Sequence, residues 1–304
     1  MSEPSAAGSP AGAPTGAPVS GVRASHERLP AAVSGVRASH ERLPAAVSGV
    51  RASHERLLAE VAALPPDVAR RDSRLHGWTV AHVLTHLARN ADSHAGILEG
   101  ASRSEVVAQY PGGPAQRLAD IEAGADRDLE ALHADLAAAI TRLEAAYDAT
   151  PPSVWETGTA LLGAGARPLA ELPFRRWREV EVHRVDLGTG ATPASWPGAY
   201  VIEELAHQVV RLADRLPPDG SLVLRTTDTG QAWEIAPGRV GPLPGPLGLP
   251  HPPGAGRTAE PVSPAPASRV AAVTVEAPAA ELVAWLLGRL EIAAAPALAS
   301  WETR

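Results

Sequence analysis

Apolar residues at Val80, Val83, Leu84, Leu87, Ala91, Ala95 and Leu98 recur at the spacing of one helix face. Thr79 suits the N-cap of such a helix and Gly100 its end, so a helix is expected between them. A second stripe, Leu129, Leu132, Leu136, Ile140 and Leu143, predicts a helix through residues 117–147, with Gly124 weakening its first half. A third, Val50, His54, Leu57, Val61 and Leu64, predicts a helix that runs to Pro65.

The stretch Arg178-Glu179-Val180-Glu181-Val182-His183-Arg184-Val185-Asp186 fits two periods. A strand would place Glu179, Glu181 and His183 on one face; a helix would place Glu179, His183 and Asp186 together. Pro173 suits a first helical turn, Gly188 suits a C-terminal cap, and the ~14 residues between are long for a strand. The helix is the better reading. Four amphipathic helices make an antiparallel bundle the economical architecture.

Before the first helix, a 14-residue unit repeats: VSGVRASHERLPAA at Val19 and Val33, then VSGVRASHERLLAE at Val47. Pro30 and Pro44 are expected to interrupt any helix through the first two copies, whereas Leu58 lets the third continue. Residues 1–46 are therefore expected to be a disordered tail carrying a duplicated repeat, and residues 47–190 the helical bundle. Residues 191–304 read as a small α+β domain: a helix from Val201, the strands SLVLRTT and QAWEIA paired across Asp228-Thr229-Gly230, the strand AAVTVEA and the helix AAELVAWLLGRL. A Pro- and Gly-rich insertion at about 237–268 interrupts it.

Of the 304 residues 45% are apolar, enough to bury a sizeable core. No apolar run approaches the ~20 residues of a membrane span, and no secretion pattern opens the chain, so a cytoplasmic protein without a membrane partner is expected. A net charge of -7 argues against nucleic acid. All 27 basic residues are Arg, and there is no Cys, so any thiol chemistry must use an outside thiol.

His82 and His86 lie one turn apart, off the main apolar stripe, with Asn90 a turn further on; spacing alone marks them as surface histidines. Glu179 and His183 alone could be no more than a local helical pair. Together, one His from the second helix with Glu179 and His183 would form a three-donor site inside a bundle, leaving a coordination position open as in catalytic zinc sites, with Asp186 available to orient an imidazole.

The segments HGWTVAHVLTHLARNAD at His76, YPGGPAQRLADIEAGADRD at Tyr110, WREVEVHRVDLG at Trp177 and WLLGR at Trp285 resemble the mycothiol-dependent maleylpyruvate isomerases of the DinB-like, or YfiT-like, metalloprotein superfamily. The resemblance covers roughly residues 47 to 304. It implies a DinB-like four-helix bundle followed by an SCP2-like α+β domain, with His86, Glu179 and His183 as metal ligands and His82 outside the ligand set. It also implies a divalent metal, zinc being expected, and mycothiol as the thiol that adds to maleylpyruvate, allows rotation and leaves to give fumarylpyruvate. Such a dicarboxylate needs a basic partner, and Arg289 in WLLGR is the expected catalytic residue. Trp285 and Trp301 read as core. A monomer is the working expectation. A mycothiol S-transferase on the same scaffold and a non-catalytic metal-binding regulatory module are the alternatives; the latter would recruit His82 or Asn90 as a fourth ligand.

Overall fold

Four helices pack as the bundle: α1 (Leu29–Ala62), α2 (Val80–Ser102), α4 (Leu129–Ala149) and α6 (Leu172–Asp186). The structure is a computed structural model describing residues 29–163, 165–243, 273–293 and 295–296, with side chains from Arg42 onward. α2 lies against α4 and α1 against α6, and the predicted stripes face inward: Leu84 and Leu87 of α2, Leu136 and Leu143 of α4, and Val50 and Leu57 of α1 are fully buried.

Three boundaries depart from the sequence expectation. Residues 29–46 belong to α1, which runs through Pro44 instead of starting after it; the remainder of the expected tail, 1–28, lies outside the described residues. An interior proline costs about 3 kcal/mol, but burial of Leu43 returns about 2 kcal/mol, and Ala46 and the Arg42–Glu203 ion pair at 3.1 Å add to it. The expected helix over 117–147 divides into α3 (Gly113–Ala125) and α4, because the Asp128 carboxylate caps a new helix by accepting the Ala131 N–H at 2.8 Å. Gly124 has a packing reason: a Cβ there would meet Thr85 Cγ2 at 2.3 Å, so its absence seats α3 against α2. The connection to α6 contains α5 (Pro152–Thr157) and the antiparallel pair β1 (Thr159–Leu162) and β2 (Gly165–Pro168), none of them foreseen.

The C-terminal region forms the expected α+β unit. Helix α7 (Gly198–Leu212) precedes β3 (Leu222–Thr226) and β4 (Ala232–Ala236), which pair antiparallel. β6 (Val273–Ala277) runs parallel to β3, and α8 (Ala279–Leu286) follows, with Trp285 buried; Trp301 lies outside the described residues. Part of the expected insertion is ordered as β5 (Arg239–Leu243), giving the sheet order β5-β4-β3-β6; residues 244–272 lie outside the described residues. No helix among the described residues is long and apolar enough to cross a membrane.

The bundle core is not purely apolar. Arg176 of α6 is fully buried and donates from Nε to His54 Nε2 (3.1 Å) and from Nη1 to Leu87 O (2.9 Å) and Asn90 Oδ1 (2.8 Å). Because His54 Nε2 accepts, its Nδ1–H donates to Glu144 at 2.8 Å. The chain α6–α1–α4, with the branch to α2, joins every helix of the bundle. Beside it, fully buried Glu181 binds Arg184 (2.6 Å), Arg56 (2.7 Å) and Ser53, locking α6 to α1.

Replacing Arg176 would leave His54 Nε2 and Asn90 Oδ1 without their donor and remove an added bond to Leu87 O. Arg176→Met is expected to lose about 3 kcal/mol or more of unfolding free energy in urea; a loss within the error of the extrapolation would show that the cross-tie is not structural. Burial lowers the pKa of His54 to about 4 and that of His94 to about 3, while each titrates near ~6.5 in the unfolded chain. Between these values the unfolded chain takes up protons that the folded chain refuses, so stability is lost as the pH falls from ~6.5. The melting temperature should therefore drop between about pH 7 and pH 5, with a shallower slope in His94→Leu; identical slopes would show that His94 titrates normally.

Candidate metal centre

α2 begins at Thr79, whose backbone N–H donates to His82 Nδ1 at 3.1 Å, while His82 Nε2 reaches Glu122 of α3 at 3.3 Å. His82 thus fastens the helix start and α3. One turn on, His86 is 4% exposed, not at the surface as helical spacing alone suggested. The reason is that α2 is enclosed by α3, α4 and α6, so its second face is also covered. Trp78 closes over the imidazole with ring centroids 5.7 Å apart.

α6 supplies the opposite side. Its helical period places Glu179 and His183 one turn apart, and both side chains turn toward His86. His86 Nε2 lies 2.9 Å from Glu179 Oε2 and 3.2 Å from His183 Nε2; His183 Nε2 lies 3.5 Å from the same carboxylate oxygen. With bonds of about 2.0–2.1 Å, a tetrahedral zinc ion would hold its donors about 3.3–3.4 Å apart, so one nitrogen from each histidine and one carboxylate oxygen already form a triangle of the right size. Glu179 is 30% and His183 12% exposed at the side chain, which leaves the triangle open on one side. His82 and Asn90 do not join it: one is held by Thr79 and Glu122, the other by Arg176.

The carboxylates give the triangle a potential that favours a cation, which would displace protons from the Nε2 atoms of His86 and His183 on binding. Burial lowers the His86 pKa to about 4, against the pull of Glu179, so the imidazole is neutral. For Glu179 burial acts upward, but hydrogen bonds from His183 and His86 outweigh it and hold the carboxyl well below its usual range. For His183 burial acts downward and is outweighed by Asp186 and Glu179, so its pKa is raised. A neutral imidazole, a carboxylate and a second imidazole backed by a carboxylate are the donor chemistry of a divalent-metal site.

Behind His183, Asp186 Oδ2 lies 2.9 Å from Nδ1, fixing the ring proton there and turning Nε2 toward the triangle. Arg289 grips the same carboxylate with two bonds, Nε to Oδ1 at 3.0 Å and Nη2 to Oδ2 at 2.8 Å. It is delivered by the end of α8, where Gly288 takes φ 72° and the N–H groups of Gly288 and Arg289 close on Trp285 O and Ala284 O. Arg289 is only 8% exposed and its guanidinium is engaged by Asp186, so it braces the centre instead of facing a cleft.

Sequence reasoning missed Arg117. From α3 its Nη2 lies 3.0 Å from His86 Nδ1, and its guanidinium sits over the Tyr110 ring at 5.4 Å. Among the described residues it has no carboxylate partner. The signal was present, since Tyr110 and Arg117 both fall in YPGGPAQRLADIEAGADRD, but the helical period says nothing about what α3 covers.

Residues 50–188 match the family model described as the mycothiol maleylpyruvate isomerase N-terminal domain. No curated protein matches the chain. Among solved structures it resembles a mycothiol-dependent maleylpyruvate isomerase and a histidine-to-alanine variant of a protein so described, each with 22% identity, a TM-score of 0.65, and coverage of 81% of this chain and 89% of the other. That likeness shows a shared fold across both parts of the molecule, and all three donors fall within residues 50–188, the segment that matches the mycothiol maleylpyruvate isomerase N-terminal domain model.

Proposed function

We propose that the protein is a metal-dependent, mycothiol-using cis–trans isomerase that converts maleylpyruvate to fumarylpyruvate. The observation that carries this reading is the open triangle of His86, Glu179 and His183, buttressed by Asp186 and Arg289, in a segment that matches this family's model. A divalent ion bound there, with zinc as the expected choice, would favour the thiolate of an external thiol and polarise a substrate oxygen. The absence of Cys from the chain agrees with the thiol coming from outside.

The protein's own groups have separable tasks. His86, Glu179 and His183 supply the donors, and Asp186 keeps the His183 proton on Nδ1. Arg289 keeps Asp186 ionised and in place: burial acts upward on that carboxyl, but His183 and Arg289 hold its pKa down. Arg289 is therefore a positioning residue. Arg117, with no carboxylate partner among the described residues, is the guanidinium available to meet a substrate carboxylate beside the triangle.

Metal analysis should find about one ion per chain in the wild type and little in His86→Ala or His183→Ala. Asp186→Asn and Arg289→Ala should retain the site with metal affinity weakened about 10–100-fold. Arg117→Ala should take up metal normally but raise KM for maleylpyruvate about tenfold or more. Unchanged metal affinity in both Asp186→Asn and Arg289→Ala would remove the positioning role. Metal-loaded protein supplied with mycothiol and maleylpyruvate should form fumarylpyruvate with no net consumption of thiol. Thiol consumption without isomerisation would identify a transferase instead, and no turnover would overturn the proposed reaction.

A further inference from the structure

A cavity of about 410 Å3 lies between α1, α6 and α7 and contains none of the metal-centre residues. At ~100° per residue, Trp177 and Phe174 project about 160° and 140° away from Glu179 around α6, so the cavity occupies the opposite side of the helix that supplies two of the donors. Its third wall is Arg42, Ala45 and Ala46 of α1. These residues precede position 50, where the family domain begins, and they lie in the second copy of the 14-residue repeat. The cavity in this form therefore depends on the N-terminal extension of α1.

Its lining has a flat apolar part and a charged rim. Phe174 stacks on His207 with ring centroids 4.8 Å apart and planes at 27°, and Ile202 stands 46% exposed at the mouth. Three of the four arginines are matched by acids: Arg42 with Glu203 at 3.1 Å, Arg175 with Glu171 at 3.0 Å, and Arg178 with Glu204 at 2.7 Å. Arg211 has no carboxylate partner among the described residues. The rim thus carries one unmatched positive charge beside a flat aromatic wall, in a cavity whose volume falls in the range of small-molecule sites.

We propose that this cavity is a second ligand site, distinct from the metal centre, that takes a planar aromatic monocarboxylate. The ring lies against the exposed face of His207, which Phe174 backs from behind, and the carboxylate pairs with Arg211. A monoanion matches the single unmatched guanidinium, and a flat body matches the stacked pair.

The test is calorimetric titration of the full-length protein with 1-naphthoate, using methyl 1-naphthoate as the uncharged control. One molecule should bind per chain, equally to wild type, metal-stripped protein and His86→Ala. Arg211→Ala, Ile202→Glu and replacement of the acid by its methyl ester should each weaken binding about tenfold. Ile202 and Arg211 are exposed, so these variants should fold, with unchanged melting temperature as the check. No saturable binding to wild type, binding indifferent to both variants, or binding lost with the metal or with His86 would each overturn the proposal. The last outcome would place the aromatic acid at the metal centre.

Discussion

A fully buried guanidinium with no carboxylate partner among the described residues is an expensive group to place in a helical bundle, and the arrangement of this molecule follows from how Arg176 is accommodated. Its Nε and Nη1 donors go to neutral acceptors on α1 and α2, and His54 passes the interaction on to Glu144 of α4. Apolar packing alone would let helices slide or rotate by a fraction of a turn at little cost. A set of directional bonds to Leu87 O, Asn90 and His54 allows one arrangement. Leu87 and Asn90 flank the turn after His86, and Arg176 sits one turn before Glu179, so the cross-tie fixes the separation of the two helices that bear the donors.

The donor triangle can therefore be understood as a product of bundle geometry. Neither α2 nor α6 presents a site alone: α2 has one imidazole, and α6 has an acid and an imidazole one turn apart. Convergence at 2.9–3.5 Å requires α6 to lie at one height and rotation against α2. The ion pairs of Glu181 with Arg56 and of Arg184 with Glu60 hold the opposite face of α6 to α1, leaving the Glu179–His183 face toward α2. Two neighbouring acids in one short segment thus serve opposite faces, one structural and one facing the candidate metal position.

Much of this was legible in the chain because it depends on local periodicity. Thr79, Pro173 and Gly188 marked helix ends that the structure places within a residue or two, and the i, i+4 relation of Glu179 and His183 survived intact. What could not be read depends on tertiary contact. The penalty of Pro44 is local and visible, whereas the burial of Leu43 and the partner of Arg42 that offset it come from distant segments. Gly124 drew attention as a weak helix position, yet the break came at Asp128, whose capping carboxylate competes with continuation. The burial of His86 and the approach of Arg117 both depend on α3 folding over α2, which no single-helix wheel contains. Arg289 was identifiable as a residue of interest, but its direction was set by the Gly288 turn and by Asp186, more than a hundred positions earlier.

The two-pronged bond from Arg289 to Asp186 is a bridge between the two halves of the molecule as well as a brace for an imidazole. Free energies of coupled equilibria are reciprocal: if seating the C-terminal unit steadies His183, then an ion held by His183 must steady that seating by the same amount. Cation occupancy and the docking of α8 are thereby one equilibrium seen from two ends, and the helical bundle expressed without its C-terminal partner would be a poorer chelator although every donor atom is still present.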